Sequence, residues 1–183
     1  MSEELQVQNR VAKHYAKRYS GTGFLFHGRV VHKMMAGVTM KTKVLDVGCG
    51  TGFVSQLYPN YDIIGLDFSP EMLKLNPYKS QLGSADDIPF KANTFDHVTC
   101  RALLHHLKRP HDALSEMHRV LNTGGIVSIL ETMLQASRKS TGPSYLQSAR
   151  TAPVVQAPDG MKCPGRDCRP PRNMRSYNIL IHV

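Results

Sequence analysis

Val44-Leu45-Asp46-Val47-Gly48-Cys49-Gly50-Thr51-Gly52 is the stretch on which the reading of this chain turns. A short apolar run ends in a glycine-punctuated loop, and a helix-like segment opens at Phe53-Val54-Ser55. This is how a buried parallel strand passes into a helix at a ligand site. Glycines at 48, 50 and 52 let the backbone turn sharply and approach a ligand with no Cβ in the way, leaving main-chain N–H groups free to point at it. The spacing is G-x-G-x-G, with Phe53 where a dinucleotide fingerprint would place its third glycine. Alone, such a loop is as consistent with a simple tight turn as with a ligand loop, so its neighbours decide.

Downstream, residues 61–67 form an apolar run ending in Asp67 and predict a second strand. Ser69-Pro70-Glu71 then opens a helix with an N-cap serine, a proline at the first helical position and an early acid. Residues 79–82 predict a weak third strand and 94–100 a fourth. Residues 110–121 predict an amphipathic helix with Ala113, Leu114, Met117, Val120 and Leu121 on its apolar face, ended by Asn122-Thr123-Gly124-Gly125. A fifth strand follows at 126–130, rich in β-branched residues. Upstream, residues 4–19 predict a helix carrying Tyr15 and Tyr19 on one face, and 24–35 a second. Strands alternating with helices in this way predict an α/β fold: a doubly wound parallel sheet with helices on both faces, three layers in all.

A chain of 183 residues suits one domain, and with 41% hydrophobic and 20% charged residues it has the make-up of globular protein. No apolar run is long enough to span a bilayer, and the first residues carry Glu3 and Glu4 where a signal or transit peptide would be basic. The expectation is a cytoplasmic protein with reduced thiols. Its four cysteines, Cys49, Cys100, Cys163 and Cys168, form no C-x-x-C pair and no zinc half-site, so no metal centre is expected. The net charge of +9 is uneven. Residues 1–135 hold 15 basic against 12 acidic side chains, and residues 136–183 hold 8 against 2. Pro and Gly also collect in the second segment. The chain therefore divides into a folded domain over 1–135 and a basic, largely irregular tail over 136–183, whose residues 177–183 alternate well enough for a terminal strand.

In an open parallel sheet, ligands lie beyond the carboxyl ends of the strands where strand order reverses. Collecting strand ends gives Asp46 with Gly48, Cys49, Gly50, Thr51 and Gly52; Asp67 with Phe68; Ser84, Ala85 and Asp86; and Cys100 with Arg101. An acid after the second strand can accept the hydroxyls of a ribose. Phe68 and Met72 can hold an adenine face by apolar and sulfur contacts. The set describes a site for an adenosine.

Five ordered motifs carry a family resemblance: Val44 to Gly52; Gly65 to Leu73; Ala85 to Phe90 with Phe95-Asp96; Leu104-His105-His106-Leu107; and Arg119 to Gly125. Together they resemble the class I S-adenosylmethionine-dependent methyltransferases, and within them the small-molecule type 11 group that includes the ubiquinone and menaquinone biosynthesis enzymes. The resemblance covers about residues 10–131 and implies a Rossmann-like sheet binding S-adenosyl-L-methionine. It implies that Asp46 faces the methionine amino group, that Gly48 to Gly52 pass beneath the methionine and ribose, and that Asp67 holds the ribose hydroxyls. It places Ser84 to Asp86 along the adenine edge, Cys100 and Arg101 beside the methionine and sulfonium, and Tyr15 or Tyr19 over the pocket. Two residues depart from the pattern: Ser84 stands where many relatives carry an acid, and Arg101 where a small residue is usual. Past the fifth strand, relatives continue with a helix and an antiparallel hairpin, whereas this chain turns Pro/Arg-rich; its last strands are expected to be truncated or atypical.

Methyl transfer needs alignment in a water-excluded pocket more than it needs a base. His105 and His106 follow the fourth strand, where an acceptor would lie, and either could take a proton; equally, the pair could pack locally. The expected activity is transfer of a methyl group to a small organic acceptor. An RNA methyltransferase gripping phosphates with its basic tail is a second reading; Cys100-Arg101-Ala102-Leu103, standing where an Asp/Asn-Pro-Pro-aromatic motif would be, argues against the exocyclic-amine nucleic-acid enzymes. A third is a cofactor-binding but inactive module. Neither the acceptor nor the oligomeric state is written in the sequence.

Overall fold

The computed structural model describes residues 22–133 and 175–182, together with Gln6, Val11 and Ala12. The rest of the expected first helix, Tyr15 and Tyr19 with it, and residues 134–174 lie outside the described residues. In chain order the elements are helix α1 (Thr22–Met34), strand β1 (Lys43–Val47), helix α2 (Phe53–Leu57), β2 (Asp62–Asp67), α3 (Pro70–Lys74), β3 (Ser80–Leu82), β4 (Phe95–Arg101), a 3-10 turn (Leu104–His106), α4 (Pro110–Val120), β5 (Leu121–Met133) and β6 (Arg175–His182).

The strands form one sheet in the order β3-β2-β1-β4-β5-β6. The first five run parallel, and β6 runs antiparallel to β5 from Ile126↔His182 to Met133↔Arg175. Strand order reverses between β1 and β4, and that is where a crevice opens at the carboxyl ends.

Side-chain alternation sends the central strands into two separate cores. Val44 and Ile63, register partners, pack with Val31, Met35, Phe53 and Val54 beneath α1 and α2. Leu45, Ile64 and Val98 face the other way, onto Ala113, Met117 and Val120 of α4. Strand β1 is buried on both faces from Val44 onward, so Val44, Leu45 and Val47 are apolar without alternation and Asp46 is its one buried acid. Helix α3 begins as its sequence requires: the Ser69 side chain accepts the Met72 amide at 3.2 Å, and Pro70 occupies the first helical position.

One boundary differs from expectation. Helix α4 stops at Val120, and β5 begins at once with Leu121 paired to Phe95, five residues before the expected strand. The register then slips before His97↔Ile126, so the Asn122 to Gly125 segment bulges from the pairing, with Gly124 at φ 79°. At this end of the sheet the Asp96 carboxylate accepts the Lys43 amide at 2.9 Å and the Asn122 amide group at 2.7 Å, tying three elements together far from the crevice. Among the described residues no helix is long and apolar enough to cross a membrane.

Candidate cofactor site

The glycine loop is built by conformation. Gly48, Gly50 and Gly52 all have left-handed φ values of 75°, 53° and 84°, which L side chains adopt only under strain. Gly48 must also be bare because Leu103 would crowd a Cβ there at 3.2 Å. The loop's amides turn inward, contrary to the expectation that they would be left for a ligand. Gly48 and Cys49 both donate to the Leu66 carbonyl, at 2.8 and 3.0 Å, and Gly52 donates to the Cys49 carbonyl at 3.0 Å. The Gly50 amide donates to Asp67 Oδ2 at 2.8 Å. Four engaged amides leave no nest for a pyrophosphate. The loop offers close backbone approach and a carboxylate, which suits a ligand without phosphate.

Asp67 sits at the end of β2 with its carboxylate drawn over the loop. Its Oδ1 accepts the Ser69 amide at 2.9 Å while Oδ2 takes Gly50. Burial raises its pKa, and backbone hydrogen bonds from Ser69, Gly50 and Phe68 oppose that rise. A carboxylate has about four acceptor sites, so these amides leave room for a hydroxyl donor.

Around Asp67 lies a crevice of 410 Å³, within the size range of small-ligand sites. Of the residues collected from strand ends, Gly48, Cys49, Gly50, Thr51, Asp67 and Phe68 border it, as do Met72, Ser84, Ala85, Asp86 and Arg101. The Ser84 hydroxyl donates to Asp86 Oδ1, fixing that carboxylate beside the crevice. The loop carrying them is clamped by α4: Glu116 accepts the Ile88 amide at 2.8 Å, and Arg119 reaches the Ile88 and Phe90 carbonyls, each at 2.9 Å. Arg119 does not border the crevice itself; its part is to hold this loop.

Asp46, Gly52, Cys100 and His105 do not border the crevice. Asp46 is 3% exposed and accepts the Thr99 hydroxyl at 2.9 Å, beneath the loop. Burial lifts its pKa to about 6, against the Thr99 hydrogen bond and the Arg101 charge. Cys100 pairs with Val47 in register and points with it into the α4 core, fully buried. Gly52 is occupied with starting α2, hard against Asn76 and Tyr78. Of the two histidines, His106 borders the crevice, whereas His105 turns to the buried Glu131, its Nδ1 2.7 Å from Oε2. The thiol of Cys49, though in the crevice wall, is pushed up by burial and by Asp46 and Asp67, so it remains protonated and unreactive. Among the described residues no cluster of His, Cys, Asp or Glu could hold a metal ion.

The structure adds wall residues that the sequence reading did not collect, chief among them Ala102, Leu103, Leu107, Lys108 and Arg109. They follow β4 and fold back over the crevice. Ala102 has a φ of 50°, a left-handed alanine at the start of that turn.

Comparison with known proteins agrees with this fold. Residues 45–129 match the methyltransferase domain family. A demethylmenaquinone methyltransferase of Staphylococcus aureus is 38% identical over an alignment covering 52% of this chain and 45% of that protein. The chain thus spans about half the length of the curated relatives it matches. A candidate methyltransferase structure from Bacillus halodurans superposes with a TM-score of 0.53 at 28% identity, covering 58% of this chain and 52% of the other. A candidate S-adenosylmethionine-dependent methyltransferase from Methanococcus maripaludis shares the fold with a TM-score of 0.60 at 20% identity, over 66% and 62% of the two chains.

Proposed function

We propose, from the match of residues 45–129 to the methyltransferase domain family, that this crevice binds S-adenosyl-L-methionine and that the chain methylates a small organic acceptor. The observation that carries the reading is the Asp67 carboxylate held over the Gly50 amide at the crevice wall. It leaves a fixed acceptor for ribose hydroxyls beside a backbone bare of side chains. Phe68 and Met72 offer an apolar face for adenine, and the Ser84–Asp86 pair offers acceptors for its amino group. When bound, the cofactor supplies an activated methyl group. Asp46 acts from beneath, supporting the loop through Thr99 and adding negative charge below the cationic end of the ligand. Leu103 and Leu107 exclude water from the far wall, and His106 stands where it could accept a proton from an acceptor hydroxyl.

The test is calorimetric titration of the full chain with S-adenosyl-L-methionine and with its demethylated product. Both should bind, and Asp67→Ala should weaken each at least tenfold, about 1.4 kcal/mol or more. No binding to the unaltered chain, or unchanged binding to Asp67→Ala, would overturn the assignment. Transfer of labelled methyl to a panel of phenols, amines and carboxylic acids then tests the activity itself.

A further inference from the structure

Gly83, Ser84, Ala85 and Asp86, which border the crevice just past β3, belong to one short loop, and that loop is held from both ends. At its start the Gly83 amide donates to the Asp67 carbonyl at 3.0 Å, and the Asp87 amide returns to the Ser84 carbonyl at 3.3 Å, closing a tight turn around Asp86. Within the turn the Ser84 hydroxyl donates to Asp86 Oδ1. At its end Ile88 is buried in the α4 core, and the Phe90 ring meets Phe95 edge-on at 5.1 Å. Apolar contacts of that kind fix depth but are non-directional. Direction comes from α4: Glu116 Oε2 accepts the Ile88 amide at 2.8 Å, while Arg119 donates to the Ile88 and Phe90 carbonyls, each at 2.9 Å. Nε and Nη2 of Arg119 also donate to the two Glu116 oxygens, each at 2.7 Å, so one guanidinium fork joins its own helix to two peptide groups of the loop.

Holding the loop bears on which base the site can take. Adenine offers a carboxylate the N–H donor of its exocyclic amino group; hypoxanthine has a carbonyl there and carries its N–H on the neighbouring ring nitrogen. A carboxylate free to swing can follow the donor from one place to the other. A held one cannot, and meets the carbonyl oxygen with its charge unpartnered. Resting on the donor reading above, we infer that Glu116 and Arg119, neither of which borders the crevice, are positioning residues for base recognition: they act through Asp86, fixing its carboxylate so that the site takes adenine and rejects hypoxanthine. The Arg119 side chain is 38% exposed, so its removal should loosen the loop without unfolding the domain.

The experiment titrates the full chain calorimetrically with the demethylated product S-adenosylhomocysteine and with S-inosylhomocysteine, which differ only at the base. The unaltered chain should bind the adenine compound at least tenfold more tightly. That ratio should fall at least threefold in Arg119→Met and in Glu116→Ala, and to near unity in Asp86→Ala. A loss of packing alone would weaken both compounds alike and leave the ratio where it was. In the Asp86→Ala background Arg119→Met should change the ratio no further, because the residue through which it acts is gone. An unchanged ratio in Asp86→Ala or in either clamp variant, or an Arg119→Met effect of the same size with and without Asp86, overturns the inference. Should Arg119→Met melt too low to titrate, Arg119→Lys, which keeps the charge and loses the fork, is read by the same ratio against the same outcomes. Failure of S-adenosylhomocysteine to bind the unaltered chain would sink the donor reading and this inference with it, whereas equal binding of the two compounds would sink this inference alone.

Discussion

Glu131 on β5 holds His105, the carboxylate Oε2 lying 2.7 Å from the imidazole Nδ1, while Oε1 accepts the Leu103 and Leu104 amides at 2.9 and 2.7 Å. The acid is 4% exposed, so its charge is balanced almost wholly by this turn, and charge-assisted bonds of this kind are the strong ones. The turn in question is the one that folds Ala102, Leu103 and Leu107 over the crevice. Glu131→Gln keeps one acceptor oxygen and loses the charge, and should cost about 2 kcal/mol; Glu131→Ala leaves the amides unpartnered and should cost about 3 to 4 kcal/mol. His105→Ala should cost far less, because its side chain is 41% exposed and water can replace it. Urea unfolding of the three variants checks the order. Equal losses for His105→Ala and Glu131→Ala would show that the backbone bonds contribute little.

The loop glycines are not equivalent, although the sequence presents them as one motif. An added Cβ at Gly52 would stand 2.8 Å from Asn76 Cγ and 2.8 Å from a Tyr78 ring carbon, at a φ of 84°. At Gly50 it would meet nothing nearer than Met72 Sδ at 3.9 Å, at a φ of 53°. Gly50→Ala therefore incurs the left-handed penalty alone, about 1 to 2 kcal/mol. Gly52→Ala adds overpacking to it, for about 3 kcal/mol or more. Paired denaturant melts measure both, and a smaller loss at 52 than at 50 would contradict this ranking.

What could be read from the sequence, and what could not, follows from how local each signal is. The Ser69-Pro70 helix start, the apolar β1 and β2 runs and the glycine turn are written within a few residues of where they act, and the structure has them there. Strand-end position located Asp67, Ser84 and Asp86 on the crevice. It also collected Asp46 and Cys100, which do not border the crevice, because position along a strand does not say which face a side chain takes. The Asp46↔Thr99 and Val47↔Cys100 pairings decide that, and register is not visible in one strand. Lys108 and Arg109 escaped notice for a longer-range reason. Their turn is folded back by Glu131, which is more than twenty residues downstream on another strand.

Asp46 and His97 give the fold two opposed pH dependences. They lie on one face of neighbouring strands, two residues apart in register (Val44↔His97, Asp46↔Thr99), and both are buried. Burial raises Asp46 from 3.8 to about 6, against the Thr99 hydrogen bond and the Arg101 charge. Burial lowers His97 from 6.5 to about 4, partly offset by its hydrogen bond to the Met34 backbone. Between about pH 4 and 6 the folded chain keeps a proton on Asp46 that the unfolded chain has released, so this group makes stability fall as pH rises. Over nearly the same window the unfolded chain carries a proton on His97 that the folded chain lacks, so His97 makes stability rise with pH. Each shift is worth about 3 kcal/mol across its window, and in the unaltered protein the two nearly cancel. Removing either exposes the other. Relative to the unaltered chain, Asp46→Asn should gain about 3 kcal/mol of unfolding free energy between pH 4 and pH 6, and His97→Gln should lose a similar amount between pH 4 and pH 6.5. Exposed acids contribute a background common to all three proteins, so the comparison is of differences, taken from urea denaturation at fixed ionic strength. Parallel pH profiles for the three would mean that neither side chain changes its proton affinity on folding.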